Sequence, residues 1–114
     1  MVLELIRSDL MRYAGRTDGG TLIHFLLHSR PFRLQCVIRM VQAESPAVRT
    51  IGRFLYRLNR QKRFIQISTD ASIGKGFCVV HEGPVVVAPC EIGDNVTLSQ
   101  FTTIAIGAKL CDGA

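Results

Sequence analysis

The second half of the chain places a large aliphatic residue at every sixth position. The step is six throughout, apart from one step of seven, and the positions are Ile67, Ile73, Val79, Val85, Ile92, Leu98, Ile104 and Leu110. An α-helix has a period of about 3.6 residues and a half-buried strand alternates with a period of about two, so neither predicts this spacing. A parallel β-helix, in which short strands alternate with corners, does predict it.

Polar residues and glycines occupy the positions where the predicted β-helix turns its corners. Side chains two apart in a strand share a face, so the aliphatic residue of each hexad and the residue four positions later both point inward. The second and third positions after the aliphatic residue remain for the corner, and they include Thr69-Asp70, Lys75-Gly76, His81-Glu82, Asp94-Asn95 and Asp112-Gly113. His81 is therefore predicted to be displayed at a corner rather than buried.

Composition and charge both change near residue 64. Residues 1–63 hold 12 Lys and Arg against 4 Asp and Glu, whereas residues 64–114 hold 2 against 5. The first part is rich in Leu and Arg, and the second in Val, Ile, Gly and Thr. We predict an α-helical N-terminal segment over residues 1–63 and an incomplete hexapeptide-repeat β-helix over residues 64–114.

Apolar residues at helical spacing predict four helices in the first part. The first has its apolar residues at Leu3, Ile6, Leu10 and Tyr13, and we expect Gly15, with the sequence DGG at 18–20, to end it. The sequences TLIHFLLHS and RPFRLQCVIRMVQAE predict the second and third helices. The fourth begins with Ser45 as N-cap and Pro46 at its first position. Its predicted apolar stripe consists of Val48, Ile51, Phe54, Leu55 and Leu58.

Several functional classes are disfavoured by what the chain lacks. Its apolar runs fall short of the roughly 18 residues of a membrane-spanning helix, and its N-terminus does not resemble a secretory signal. The four cysteines form no CxxC pair, which favours reduced thiols in a cytoplasmic protein. His24 and His28 are four residues apart, but no third ligand lies nearby in sequence, so ordinary packing is favoured over a metal site.

A row of arginines runs along the fourth predicted helix, at Arg49, Arg53, Arg57 and Arg60. Such a row suits nucleic acid or an anionic membrane surface. No zinc knuckle, helix-turn-helix or aromatic-interleaved motif accompanies it. We therefore expect a solvated face, or a surface for an acidic partner or phosphate, and neither a nucleic-acid partner nor insertion into a membrane.

The sequence IQISTDASIGKGFCVVHEGPVVVAPCEIGDNVTLSQ resembles the hexapeptide-repeat acyltransferases, and most closely the serine O-acetyltransferase branch. The order of elements is also similar, with a helical segment followed by IGKGF, a His and IGDNVTLSQ. The resemblance implies a mainly β chain with a left-handed parallel β-helix after the helical segment. It further implies a homotrimer that uses acetyl-CoA and transfers the acetyl group to a hydroxyl, either of L-serine in cysteine biosynthesis or of a sugar in capsule or exopolysaccharide synthesis.

The same resemblance implies a set of site residues. His81 corresponds to the family's catalytic base, and an imidazole suits this role because its pKa lies near working pH. Ser99, Gln100 and Thr102 are implied as cofactor-binding residues. The family's Asp that orients the His is replaced here by Gln66, so Glu82 or Asp70 is an alternative orienting group. Where the family has Gly after SQ this chain has Phe101.

One further expectation concerns the length of the repeat region. The chain stops after eight hexads, and no His follows His81, whereas family members continue through further repeats and carry a second active-site His. We expect a C-terminal truncation. This leaves open an alternative from another class, a non-catalytic family member that acts as a trimeric interaction module.

Overall fold

The computed structural model describes residues 2–59, 65–80 and 84–114. Within these residues, four helices come first: α1 (Val2–Ala14), α2 (Gly19–His28), α3 (Arg30–Val41) and α4 (Pro46–Asn59). Eight short strands follow: β1 (Ile65–Ile67), β2 (Ser72–Ile73), β3 (Cys78–Val79), β4 (Val85–Val87), β5 (Glu91–Ile92), β6 (Thr97–Leu98), β7 (Thr102–Ile104) and β8 (Lys109–Leu110). The predicted boundary between residues 63 and 64 lies outside the described residues.

The prediction of a mainly β chain folded as a left-handed β-helix is wrong. Helices make up 46% of the described residues and strands only 18%. The strands form three small parallel sheets with the orders β1-β4-β7, β2-β5-β8 and β3-β6, and they do not close into a solenoid. The hexad spacing coincides with the strands, but each strand has only two or three residues, so the longer helices dominate the secondary structure.

The aliphatic residues of the hexads stack on one another because strands three apart in sequence pair in parallel. Ile73 is in register with Ile92, and Ile92 in turn with Leu110. The buried hexad positions are Ile67, Val79, Val85, Ile92, Leu98 and Ile104, all in one hydrophobic cluster. The repeat therefore forms the apolar core between the three sheets.

The same type of hydrogen bond recurs at two turns of the strand region, where a backbone N–H donates to an Asp side chain farther along the chain. The backbone N–H of Lys75 donates to Oδ1 of Asp94 at 3.0 Å, and the N–H of Asp94 donates to Oδ1 of Asp112 at 2.7 Å. Gly74 is required at this turn, because a Cβ there would lie 2.7 Å from the backbone carbonyl of Gly93. The Gly and Asp residues of these hexads thus satisfy the backbone at the turn.

The DGG sequence marks the start of a helix. α1 ends at Ala14, and Gly15 follows with φ 70°. Asp18 is the N-cap of α2, where its Oδ2 accepts a hydrogen bond from the Thr21 N–H at 3.1 Å. The expectation that Gly15 ends the first helix is confirmed. The part of it that assigned DGG to this helix end is wrong, because an Asp before a helix satisfies its free N–H groups.

Helix α4 packs on α3 through a face that contains Gly52. A Cβ on Gly52 would lie 2.7 Å from the backbone nitrogen of Val41, so only Gly allows this close approach. The predicted apolar stripe is only partly covered. Val48 is half-buried, whereas other members of the stripe are more than half exposed, namely Ile51, Phe54 and Leu58.

The helices and the strands share one hydrophobic cluster. Leu34 and Ile38 of α3 belong to the same cluster as the inward residues of the strands, and Tyr56 of α4 packs against it. A second cluster lies within the helices and is built on Leu10 and Phe32. None of the described helices has the length and apolar content needed to cross a bilayer.

Candidate functional site

The corner between β3 and β4 is the part of the chain where the sequence predicts a catalytic base. Val79 ends β3 with its side chain buried, Val80 follows with its side chain about half exposed, and Val85 begins β4. Pro84 is exposed on the other side of the corner. The predicted catalytic residues His81 and Glu82 fall between these points and lie outside the described residues.

The turn between β6 and β7 contacts the described end of this corner. The Phe101 N–H donates to the carbonyl of Pro84 at 2.5 Å. Ser99 and Gln100 are exposed, and the hydroxyl of Thr102 donates to the carbonyl of Ser99 at 2.6 Å. The three residues predicted to bind a cofactor are therefore close together and adjacent to the ends of the corner.

Gln66, predicted to orient His81, lies on the other side of β4. It is exposed in the middle of β1, in register with Val86. Because β4 is the central strand of its sheet, with β7 on its far side, β4 separates Gln66 from Thr102. Gln66 lines a cavity of ≈ 380 Å³ with Leu34, Tyr56, Ile65 and Ile67.

The described surface around the corner is uncharged and partly apolar. Val80 and Val86 are exposed by 49% and 41%, and Phe101 by 79%. Ser99, Gln100 and Thr102 add hydroxyl and amide groups but no charge. The titratable residues of the corner sequence are His81 and Glu82, which lie outside the described residues. The arrangement suits a ligand that is largely neutral and partly apolar beside the corner.

Sequence reasoning missed a buried polar network that fixes the strand leading into the corner. Asp9 accepts two hydrogen bonds from Arg39, from Nε and Nη2, each at 2.9 Å, and both side chains are almost fully buried. Asp9 also accepts from the backbone N–H of Phe77 at 2.9 Å. These contacts fix the backbone immediately before β3.

Tyr13 and Gln35 extend the same network along β3. The Tyr13 hydroxyl donates to Oε1 of Gln35 and accepts from the N–H of Val79 at 3.0 Å, and Nε2 of Gln35 donates to the Phe77 carbonyl at 2.9 Å. Burial raises the pKa of Tyr13, so the phenol stays protonated and able to donate.

The sequence does contain a signal for this network. Asp9 and Tyr13 are four residues apart, as are Gln35 and Arg39, and such pairs share one face of a helix. Polar residues at helical spacing on the apolar face of a helix indicate that this face makes polar contacts within the core. They do not identify the groups that they contact. The partners lie in another part of the chain, so the spacing alone does not identify them.

The described residues outside the corner form no metal centre. His24 and His28 lie close on α2, with ring centroids 4.7 Å apart. Within residues 2–59, 65–80 and 84–114, no three His, Cys, Asp or Glu side chains are grouped so that they could hold a metal ion.

No model of a known protein family matches the chain. No curated protein matches it either.

Proposed function

We propose that the chain is an acetyl-CoA-dependent O-acetyltransferase, similar to the serine acetyltransferases, with His81 as general base. One observation supports the proposal: the turn that holds Ser99, Gln100 and Thr102 is bonded to Pro84, through the Phe101 N–H and the Pro84 carbonyl. Pro84 lies three residues after His81 in the sequence, and His81 itself lies outside the described residues. The sequence resemblance gives the reaction class.

The proposed reaction is a direct transfer from a thioester to a hydroxyl. The His81 imidazole removes the hydroxyl proton as the oxygen attacks the thioester carbonyl of acetyl-CoA. The carbon–sulfur bond then breaks, and the imidazolium returns the proton to the CoA sulfur. Gln66 and Glu82 are the proposed orienting groups for the imidazole, and Glu82 is the nearer of the two in sequence.

The acceptor is proposed as a serine or sugar hydroxyl, in a cytoplasmic homotrimer. Serine requires groups that hold both its ammonium and its carboxylate, whereas a sugar requires hydrogen bonds to several hydroxyls. Ser99, Gln100 and Thr102 offer hydroxyl and amide groups, which suit a sugar, but no charge for the ammonium and carboxylate of serine, so the case for serine rests on the sequence resemblance. A comparison of acetyl transfer to L-serine and to nucleotide sugars separates these two acceptors.

The exposed apolar residues favour a second candidate, a trimeric interaction module without catalysis. Val80, Val86 and Phe101 are exposed near the described ends of the same corner, and an exposed apolar patch is typical of a contact surface. In that case the corner serves assembly, and the loss of His81 changes association rather than rate.

The substitution His81→Ala separates the two candidates. If His81 is the base, we expect kcat for acetyl transfer to fall by roughly 10²–10⁴-fold, with the oligomeric state unchanged in sedimentation. His28→Ala serves as a control, since His28 is exposed on α2, and should retain the wild-type rate. Acetyl transfer by His81→Ala at the wild-type rate would exclude the proposed mechanism.

A further inference from the structure

Helix α4 has one face fixed against the rest of the protein. Gly52 lies against the backbone of Met40 and Val41 on α3, and Tyr56 donates a hydrogen bond to the carbonyl of Ile67 at 3.3 Å. Val48 is half-buried on the same side. These contacts determine the rotation of α4 about its axis, and therefore which of its residues face outward.

A second face of α4 exposes large apolar side chains. Ile51, Phe54 and Leu58 are exposed by 53%, 63% and 58%. Their spacing of three and four residues places them in one strip, about 10 Å long at 1.5 Å per residue. A strip of this size is unusual for a side of a helix that faces water, since such faces are normally polar.

A third face, beside the strip, is basic. Arg53 and Arg57 are exposed and four residues apart, and Arg49 continues the row as a half-buried residue. α4 contains no Asp or Glu. Among the described residues, the ion pairs are Arg16–Asp18 and Arg39–Asp9, so none involves this row. The guanidinium groups therefore have no acidic partner within the described part of the chain.

We propose that this outward surface of α4 binds a lipid bilayer that contains anionic headgroups. A helix with Phe and Leu on one face and arginines on the next lies in the interface, with apolar side chains among the acyl chains and cations at the phosphates. Each exposed arginine adds attraction to an anionic leaflet. The helix lies on the surface and does not cross it.

Two other occupants fit the surface less well. The phosphates of a nucleic acid would pair with the arginines, but they would leave Ile51, Phe54 and Leu58 in water. A second copy of α4 would cover the apolar strip, but it would also bring Arg53 and Arg57 close to the same arginines of the other copy, and like charges repel. An anionic bilayer satisfies both the apolar and the basic face.

Cosedimentation with lipid vesicles tests the proposal. We expect the full chain to bind vesicles of phosphatidylglycerol and phosphatidylcholine, and to bind vesicles of phosphatidylcholine alone at least about tenfold more weakly. Raising the salt concentration should weaken binding to the anionic vesicles, because it screens the arginines.

Paired variants assign the binding to α4. The double substitution Ile51→Ser/Leu58→Ser should lower vesicle affinity about tenfold or more. Its matched control is Ile23→Ser/Leu27→Ser on α2, where the same residue types are exposed by 59% and 65% but the helix carries no arginine. Arg53→Glu should likewise weaken binding, whereas Arg7→Glu, on the exposed surface of α1, makes the same change in net charge and should have a smaller effect.

Several results would overturn the proposal. One is equal binding to anionic and neutral vesicles, and another is an equal loss in the α4 variants and their controls. Binding to duplex DNA that is unaffected by Ile51→Ser/Leu58→Ser would identify the basic row as a nucleic-acid surface instead. Dissociation of an oligomer by the same double variant would show that the strip is a contact between copies of the chain. Circular dichroism confirms that each variant is folded.

Discussion

Phe101 adopts a backbone conformation that residues with a Cβ rarely adopt. Its φ is 62°, within the left-handed region, where a bulky side chain is sterically disfavoured. Its ring is 79% exposed, so little burial offsets this cost. This conformation points the Phe101 N–H at the Pro84 carbonyl, and the resulting hydrogen bond joins the turn between β6 and β7 to the residue before β4. Gly is the residue type that such a φ favours.

We expect Phe101→Gly to stabilise the protein by about 0.5–1 kcal/mol. The left-handed conformation costs a residue with a Cβ about 1–2 kcal/mol, and Gly avoids this cost. The greater chain entropy of Gly in the unfolded state destabilises the folded protein by about 0.5–1 kcal/mol and offsets part of the gain. Urea unfolding measures the difference. Phe101→Ala is the matched control, because it removes the same ring but retains the Cβ, and it should give no such gain. Equal stability of the two variants would rule out relief of backbone strain.

At the scale of elements, side chains of α1 and α3 form hydrogen bonds with backbone groups in and between β2 and β3, as a neighbouring strand would. Nη1 of Arg39 donates to the carbonyl of Ile73 at 2.7 Å, and Nη2 donates to that of Gly74 at 2.6 Å. On α1, the hydroxyl of Ser8 accepts from the N–H of Gly76 at 3.0 Å. Open strand edges otherwise leave backbone groups free to pair with other chains. The polar residues of the helices form hydrogen bonds with these backbone groups, so the groups are not free to pair with another chain.

We expect Arg39→Ala to destabilise the protein by about 3–5 kcal/mol, since removing one partner of a buried ion pair leaves the other charge without compensation. Asp9 would remain buried without its cation, and the Ile73 and Gly74 carbonyls would lose their donor. Arg16→Ala is the control, because the Arg16–Asp18 pair is exposed and such pairs contribute at most about 1 kcal/mol. Urea unfolding compares them. Similar losses in both variants would show that the buried network does not hold the helices on the strands.

At the scale of the whole molecule, buried thiols link stability to pH. Cys36 belongs to the cluster of Leu10 and Phe32, and burial raises the pKa of its thiol to about 12. Burial also raises the pKa values of Cys78 and Cys90. An unfolded thiol ionises near about pH 8.5, so above this pH the folded state holds more protons than the unfolded state. The contribution of the buried thiol to the free energy of unfolding is therefore fully present below about pH 8.5 and is lost as pH rises toward 12.

We expect Cys36→Ala to flatten this alkaline loss of stability. Between about pH 8.5 and 10, the free energy of unfolding should fall by up to about 1.4 kcal/mol more per pH unit in the wild-type protein than in the variant. The reason is that the folded wild-type protein keeps one proton, on Cys36, that its unfolded state loses. Thermal unfolding at several pH values measures the slope, and the interval stops below the range where Tyr13 contributes. Cys111→Ala is the control, since Cys111 is exposed. A wild-type slope in Cys36→Ala would contradict the assignment.

The hexad spacing and the helical spacing determined much of the secondary structure, because both depend on residues close together in the chain. Side-chain alternation placed Val79, Val85 and Ile92 in the core, where the structure also has them. The same local logic predicts a corner position for His81, which lies outside the described residues. It overestimated the strand content, since a six-residue repeat leaves only two or three residues for each strand.

Tertiary structure alone decided which surfaces of the elements are buried and which polar groups meet. The spacing in α4 predicts one apolar stripe, yet α3 covers only the side with Gly52 and leaves Phe54 exposed. Asp9 meets Arg39 and the backbone of Phe77, far apart in sequence. Periodicity along the chain determines which residues share a face, whereas the face that becomes buried depends on the shape and hydrogen-bonding groups of the element packed against it.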